Sequence, residues 1–461
     1  MAVSRKLPPS KAVLASVADV LVRHVPRGAR LALALSGGLD SMALLHVLGA
    51  LRDDHRFTLH TVHVHHGLSP QADDWADFCA RHCAMHGVTL AVHRVTVTRD
   101  DAAGIEAAAR RLRHDIFAEV DADFLLTAHQ QDDQAETLLL QLLRGAGPKG
   151  LAAMPELQRR SGWRAVQLRP LLGISRAQLR DYAAAHDLEW VEDDSNVDMR
   201  YRRNALRQEI MPRLAAHFPG SSATLARAAG LQAEAAELLD ELALIDAAGA
   251  VAGARLDCAA LAGLTPARAR NLLRHFIARH GLPMPQARVL DEALRQLLAA
   301  RQDARVQVNL GPWSLWRFRG GAYLAPSLPP PAPPVRWRGE AALWVPAAGV
   351  TVAMQPVAGA GLRRAALENA VVTLGARTGG ERMQLTPDGP HRSLKNLMQE
   401  RAVPPWQRAR LPLLWCDGRL AWVHGIGIDA AFHAGPGEAG IQPDVQEGLP
   451  GQDSERPRVL S

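Results

Sequence analysis

The 461-residue sequence predicts an α/β protein: an N-terminal domain built on a parallel sheet, then a helical domain, then a small α+β domain. Three observations carry this. Between Leu31 and Leu143 short apolar runs alternate with helix-period segments, the pattern of a parallel sheet covered on both faces. From about Phe218 the chain becomes rich in Ala, Leu and Glu at helical spacing. Beyond the proline-rich SLPPPAPPVRW (Ser327–Trp337), short β-like runs return, such as Ala342–Val345 and Leu420–Val423.

Taken in order, Leu31–Leu35 reads as a strand, Ser41–Leu51 as a helix, Leu59–Val64 as a strand and Trp75–His86 as a helix. Leu90–Val97 is a third strand, Gly104–Val120 a helix, Phe124–Ala128 a fourth strand and Asp132–Leu143 a helix. In such sheets ligands bind at the carboxyl ends of the strands. Ser221–Ala248, Thr265–His280 and Gln286–Ala300 are the later helices. The expected domains are 1–217, 218–326 and 338–441, with 327–337 a stiff proline-rich linker and 442–461 a polar, disordered tail.

No apolar run approaches the roughly 18 residues of a membrane helix. The N-terminal MAVSRKLPPSK lacks a secretory pattern, so a cytoplasmic protein with no membrane partner is expected. Four cysteines do not make a disulfide framework. Cys79 and Cys83 share FCARHCAMH with His82 and His86, but no second ligand pair stands at zinc-site spacing, and a helix is expected instead. The net charge of +6 and a pI near 9.5 suit an anionic partner such as nucleic acid.

The most informative segment is Ser36-Gly37-Gly38-Leu39-Asp40-Ser41, between the first strand and the next helix. Glycines let backbone N–H groups approach a phosphate, and the helix N-terminus adds partial positive charge. Ser36 and Ser41 can donate hydroxyl hydrogen bonds. Asp40 is a poor phosphate neighbour unless Mg²⁺ bridges it to phosphate oxygens. The segment lacks GxxxxGK(S/T), so it is not a kinase-type P-loop. It resembles the motif of the PP-loop ATP pyrophosphatases, which split ATP between its α- and β-phosphates.

After the fourth strand, His129, Asp132 or Asp133, and Glu136 fall on one helical face, where a metal-nucleotide or an amine substrate could sit. A capped, solvated helix start is the plainer reading of the same residues. Arg110 and Arg113 share a face of the preceding helix, where an arginine could offset charge building on an α-phosphate. In the third domain Arg382, His391, Arg392, Lys395, Arg401, Arg408 and Arg410 alternate with Leu394, Leu397 and Met398. That pattern gives one face for packing and one for phosphate. A helix is expected from Ser393, closed before Pro404-Pro405.

Across these motifs the chain resembles the tRNA(Ile)-lysidine synthase family. The matches are SGGLDS, HVHHGLSP (His63–Pro70), GIEAAARRLR (Gly104–Arg113), TAHQQDDQAETLLLQLLRG (Thr127–Gly145), RPLL (Arg169–Leu172), WVEDDSNVDMRYRRNALR (Trp190–Arg207) and GGERMQL with HRSLKNLMQERAVPPWQR (Gly379–Arg408). His65 stands where Asn is more usual, His114 replaces Tyr, and EDDSN replaces EDPSN. The resemblance implies a PP-loop (adenine nucleotide alpha hydrolase-like) fold and an ATP- and Mg²⁺-using ligase. Its substrates would be L-lysine and the tRNA(Ile) that carries a CAU anticodon. O2 of the wobble cytidine is adenylated, and the lysine amine then attacks C2 and expels AMP. On that basis Asp40, Asp133 and Arg110 or Arg113 are catalytic candidates, with Asp40 and Asp133 toward the metal. Ser36 to Ser41, His129 and Arg203 would bind the nucleotide. Asp132, Glu136, Arg207, Arg382, His391, Arg392 and Lys395 would bind lysine or RNA. Asp133 and Glu136 are both candidates for the base that deprotonates lysine.

Three other readings share parts of this pattern. A PP-loop tRNA thiolase would use paired cysteines or an iron–sulfur cluster, and the chain has no CxxC. An amide ligase would need an ammonia source that is not evident. A non-catalytic RNA-binding protein would not need SGGLDS and HxxDD intact. The sequence leaves the oligomeric state open, a homodimer being one option.

Overall fold

The computed structural model describes residues 9–97, 104–192, 202–300, 306–327 and 332–446. The chain divides into two compact units, Met1–Leu238 and Leu239–Ser461.

The first unit opens on α1 (Pro9–His24) and continues β1 (Arg30–Ala34), α2 (Leu39–His55), β2 (Thr58–His65), α3 (Ala72–Met85), β3 (Thr89–Arg94), α4 (Ile105–Ala118), β4 (Phe124–Leu126) and α5 (Gln131–Leu142). Next come α6 (Pro148–Leu151), β5 (Leu157–Gln158), β6 (Val166–Leu168), α7 (Arg176–Ala185), α8 (Arg202–Ala205), α9 (Met211–His217) and α10 (Ser221–Ala250), inside which the two units divide. The strand order is β3-β2-β1-β4-β6-β5, with every pair parallel except β5 with β6.

A fully buried parallel strand needs apolar residues on both faces, and β1 has them. Leu31 and Leu33 pack with Val17, Leu44, Leu48 and Leu179. Ala32, pointing the other way, packs with Val62, Leu125 and Phe117. From β1 the chain builds outward to β2 and β3 on one side and resumes with β4 on the other. The reversal opens a crevice at the carboxyl ends of β1 and β4, where open α/β sheets bind ligands. SGGLDS and HQQDD leave those two strand ends.

The second unit begins with β7 (Val251–Ala252), β8 (Arg255–Asp257), α11 (Cys258–Ala262), α12 (Pro266–Arg279), α13 (Ala287–Ala299), β9 (Val306–Asn309), β10 (Trp313–Phe318) and β11 (Gly321–Pro326). The helices expected after Phe218 are present. A five-stranded antiparallel sheet, β7-β8-β11-β10-β9, stands beside them and was not expected. Its strands run two to six residues, too short for their alternation to stand out.

Further on are β12 (Val335–Arg336), β13 (Ala342–Val345), β14 (Val350–Ala358), β15 (Leu362–Arg363), α14 (Arg364–Glu368), β16 (Val372–Gly375), β17 (Arg382–Met383) and β18 (Arg392–Ser393). They are followed by α15 (Leu394–Glu400), α16 (Pro405–Arg408), β19 (Leu413–Cys416), β20 (Arg419–Val423), β21 (Gly427–Ile428) and β22 (Ala439–Gln446). Two boundaries move. The linker expected to reach residue 337 ends in β12, which pairs with β16. The tail expected to be disordered from residue 442 begins as a strand, because β22 runs along β14 as far as Gln446. Residues 447–461 lie outside the described residues.

Within this unit Trp406 of α16 sits against Trp316 and Tyr323 of the sheet before it, with ring centroids 6.2 and 4.9 Å away. Leu394, Leu397 and Met398 are buried on the inner face of α15, as their spacing predicts. Among the described residues no helix is long and apolar enough to cross a membrane.

Candidate active site

The turn after β1 is held by its own polar groups. Ser41 is buried and its hydroxyl donates to the Gly38 carbonyl at 2.9 Å. With that proton spent, the Ser36 hydroxyl donates to Ser41 Oγ at 3.1 Å. Ser41 therefore shapes the loop, and the exposed Ser36 faces outward. Gly38 caps α2 without any side-chain bond, so the first N–H groups of this 17-residue helix stay open to an anion. Gly37 has φ +85°, and a Cβ there would lie 2.9 Å from Val191 Cγ2 and 3.1 Å from Cys79 Sγ. Gly37→Ala should cost about 1–3 kcal/mol. Urea unfolding checks this, and an unchanged midpoint would contradict it.

Asp40 lies in the first turn of α2, and its Oδ1 is buried with no hydrogen-bond partner. Burial pushes its carboxyl up to about 6, the nearby Asp133 adds to this, and Arg176 and Arg207 oppose it. A carboxylate oxygen kept dry and unpaired beside an open helix N-terminus fits a cation shared with phosphates. Among the described residues no three acidic, imidazole or thiol groups form a cage for a metal by themselves. Mg²⁺ commonly takes only one or two carboxylates and completes its shell with phosphates and water.

Beside this, α5 starts with a reciprocal cap: Gln130 accepts from Asp132 N at 2.5 Å, and Asp133 Oδ2 accepts from Gln130 N at 3.1 Å. Asp132 turns away and accepts Arg176 N at 2.9 Å, tying down the start of α7. Asp133 Oδ1 accepts from Arg203 Nη2 and Arg207 Nη2, both at 2.9 Å. Glu136, 2% exposed, accepts from Arg203 Nε at 2.9 Å and Arg207 Nε at 2.6 Å. Two carboxylates and two guanidiniums thus form a compact lattice of no net charge.

Local helix geometry assists the lattice. Arg203 and Arg207 stand four residues apart where α8 passes into a π-turn, Leu206–Ile210. Pro212 has no N–H to close an α-turn on Gln208, and Met211 N bonds back to Leu206 O instead. With three bonds to its oxygens, Asp133 keeps one lone pair for a metal.

His129 is held by Thr127, with Nδ1 and Oγ1 3.1 Å apart. Burial lowers its imidazole to about 4; Asp133 pulls the other way, while Arg169, Arg203 and Arg110 reinforce the drop, so the ring is neutral at pH 7. Arg110 is exposed and its charge reaches His129, whereas the charge of the half-buried Arg113 acts on His66 at the end of β2.

Of the sequence candidates, the structure gathers Ser36 to Ser41, Asp133, Glu136, Arg203, Arg207 and His129 at the β1/β4 crevice. It adds Arg176, whose charge acts on Asp40 and whose Nε is buried and unpartnered. Arg176 opens the first turn of α7, a helix signalled by a Ser175–Gln178 capping box.

In the second unit Arg382 donates to His391 O at 2.8 Å, and Arg382, His391 and Lys395 are exposed. Arg392 is paired with Glu400 across α15. Arg401 and Arg410 donate to the carbonyls of Gly425 and Ser327, so they brace loops. Cys79 and Cys83 sit in α3 as buried free thiols, the first pushed up to about 12 by burial. His65, where Asn is more usual, pairs with Asp73 at 3.2 Å, and His114, where Tyr is more usual, packs edge-on against Trp163. EDDSN lies largely outside the described residues.

Fold and site together define a PP-loop ATP-binding domain, and residues 11–214 match the family model of that description, PP-loop domain. Residues 256–323 match the TilS substrate binding domain and residues 372–445 the TilS substrate C-terminal domain. A tRNA(Ile)-lysidine synthase from an Azoarcus species is 46% identical over 90% of this chain and 91% of its own length. Those of Nitrosomonas europaea and Aromatoleum aromaticum are 42% and 46% identical, covering 91% and 89% of this chain and 92% and 96% of their own. The chain belongs to the tRNA(Ile)-lysidine synthase family.

Proposed function

We propose that the protein is a cytoplasmic, AMP-forming ligase that joins L-lysine to C2 of the wobble cytidine in the CAU anticodon of tRNA(Ile). The observation that carries this is Asp40: a half-buried carboxyl group with one buried, unpaired oxygen beside an open phosphate loop, in a chain of this family.

In the first step cytidine O2 attacks the α-phosphorus of ATP and pyrophosphate leaves. In the second the lysine amine attacks C2, and O2 departs as part of AMP. Converting O2 into an AMP leaving group divides one difficult substitution into two easier ones. The Gly37–Gly38 backbone and the N-terminus of α2 receive phosphates, and the Ser36 hydroxyl joins them by turning its proton away from Ser41. Asp40, with Asp133, would hold Mg²⁺, which would supply positive charge at the phosphates. Arg176 and Arg110 place guanidinium charge where the α-phosphate gains negative charge. Arg203 and Arg207, held by their carboxylates, are fixed in direction before any ligand arrives. The same bonds occupy Asp133 and Glu136, so the base for lysine is better sought among groups the substrate brings near.

The thiolase alternative finds no support, since all four cysteines are buried and free. ATP–pyrophosphate exchange with and without tRNA tests the first step. Exchange that requires tRNA supports the ligase, and none under any condition returns the chain to the RNA-binding class.

For the second unit we propose that Arg382, His391 and Lys395 grip tRNA phosphates, with the acceptor stem the expected target. Phosphate contacts set affinity and register without reading sequence. The log of the binding constant should fall linearly with log salt. Arg382→Ala with Lys395→Ala should lower that slope by about one for each contact removed and leave ATP affinity unchanged. An unchanged slope would place the tRNA elsewhere.

A further inference from the structure

His129 has two ring nitrogens, and the residues behind it decide which one carries the proton. The chain of bonds starts at the buried side chain of Gln167, in β6. Its Oε1 accepts from Arg160 Nε at 3.0 Å and from Arg169 Nη2 at 2.7 Å. Guanidiniums only donate, so the oxygen end of the amide must face them and the NH₂ end must face the other way. There Nε2 donates to Thr127 Oγ1 at 3.2 Å. β4 and β6 pair in parallel, with Leu125 opposite Gln167, and Thr127 N bonds Leu168 O at 3.0 Å, so the two side chains are locked side by side.

Thr127 is buried, and its hydroxyl has one proton to give. The oxygen already accepts from Gln167. His129 Nδ1, 3.1 Å away, is the remaining partner. If Nδ1 carried a proton, Thr127 would receive two donors and its own proton would be stranded in a buried place, at a cost of about 1–3 kcal/mol. If Nδ1 is bare, the Thr127 hydroxyl donates to it while accepting from Gln167, and no proton is stranded at Thr127. A neutral imidazole with a bare Nδ1 carries its proton on Nε2. Arg169 is 2% exposed, and its bonds run to Pro155 O and the amide oxygens of Gln158 and Gln167. Its charge polarises the relay toward the ring.

We infer that Gln167 and Thr127 are positioning residues that hold His129 as a neutral Nε2–H donor at the nucleotide, set there by the Arg160 and Arg169 guanidiniums. His129 then gives a hydrogen bond to a phosphate or ribose oxygen of ATP and does not act as the base for lysine. The part of this that concerns ATP rests on the ligase reading; the tautomer does not.

The test uses full-length protein carrying ¹⁵N-histidine, with the His129 signals assigned from a His129→Gln variant. Two-bond ¹H–¹⁵N correlation at pH 7.5, without tRNA or lysine, should show the Nε2–H form. Gln167→Glu inverts the logic in nearly the same volume. A carboxylate would accept from Thr127, leaving the threonine oxygen to accept from Nδ1–H, so His129 should switch tautomer. The same variant should weaken ATP binding about 10- to 100-fold, the loss of a hydrogen bond to a charged group. Thr127→Ser keeps the relay and should resemble the parent. Thr127→Val should give a mixed tautomer. An Nδ1–H ring in the parent protein, or a tautomer unmoved by Gln167→Glu, overturns the inference. A correct tautomer and switch in a protein that never transfers lysine would leave it standing while the ligase reading fell.

Discussion

Asp40→Asn should slow pyrophosphate release at least about 100-fold, while tRNA affinity changes little, because it removes a charge at the phosphates. The same change should make the free protein more stable. The carboxyl is raised to about 6 in the folded protein from 3.8. An acid whose folded value is raised costs stability when ionised. The cost begins above pH 3.8, is complete above about 6, and amounts to at most about 3 kcal/mol. Asparagine relieves it, so the stability gain should be present at pH 7.5 and gone near pH 3.5. With Mg²⁺ and ATP held well below saturation, so that the free protein is the titrating species, pyrophosphate release by the parent protein should fall as the pH drops through about 6 and Asp40 takes a proton. A variant both inactive and stabilised points to a residue kept strained for its ligand. A variant inactive and destabilised would make Asp40 structural.

The second large effect belongs to Glu136. Glu136→Ala leaves Arg203 and Arg207 sharing Asp133 alone. Removing one member of a buried ionic cluster costs about 3–5 kcal/mol, because the other charges are left unpaired. Both guanidiniums are about 30% exposed, so water recovers part of that, and about 2–3 kcal/mol is expected. In a unit of this size that is a melting temperature lower by roughly 4–10 °C. Pyrophosphate release should fall as well. The double change Glu136→Leu with Arg207→Met should recover stability but not activity, since it replaces charge by packing. Recovery of both would remove the lattice from the chemistry. Thermal melting and pyrophosphate release on the same samples measure the two together.

The parts of the fold legible in sequence were those with long periodic signals. LALAL and LHTVHV are buried on two faces and read as strands, and Gly104–Val120 reads as one helix and forms one. β6 is only Val-Gln-Leu, and no periodicity survives in three residues. α7 carries a legible signal in its Ser175–Gln178 capping box, although its ten residues are too few for a strong helical period. Arg176 stands inside that box, and only the fold brings its charge to Asp40. The hairpin β10–β11 was hidden among helices because its aromatic residues fit either element.

At the site, the sequence shows which residues leave the two strand ends but not the bonds they make in the folded chain. Ser41 looked like a ligand to phosphate and is a brace for the loop. Asp132 looked like a partner of substrate and holds the start of α7. Glu136 and Asp133 looked like free bases, and their partners Arg203 and Arg207 are 67 to 74 residues away in the chain. Such pairings depend on how α8 meets α5, which spacing within one helix does not encode. Arg392 shows the same limit in the second unit: the sequence shows a cation, and the structure shows it spent on Glu400.

The most direct test is transfer of lysine itself. Purified protein is incubated with ATP, Mg²⁺, radiolabelled L-lysine and a tRNA(Ile) transcript bearing a CAU anticodon. A second transcript with uridine at the wobble position serves as control. Acid-stable label should enter the first RNA alone, with one AMP and one pyrophosphate formed for each lysine attached. Label in neither RNA, in a preparation that binds both ATP and tRNA, would contradict the ligase.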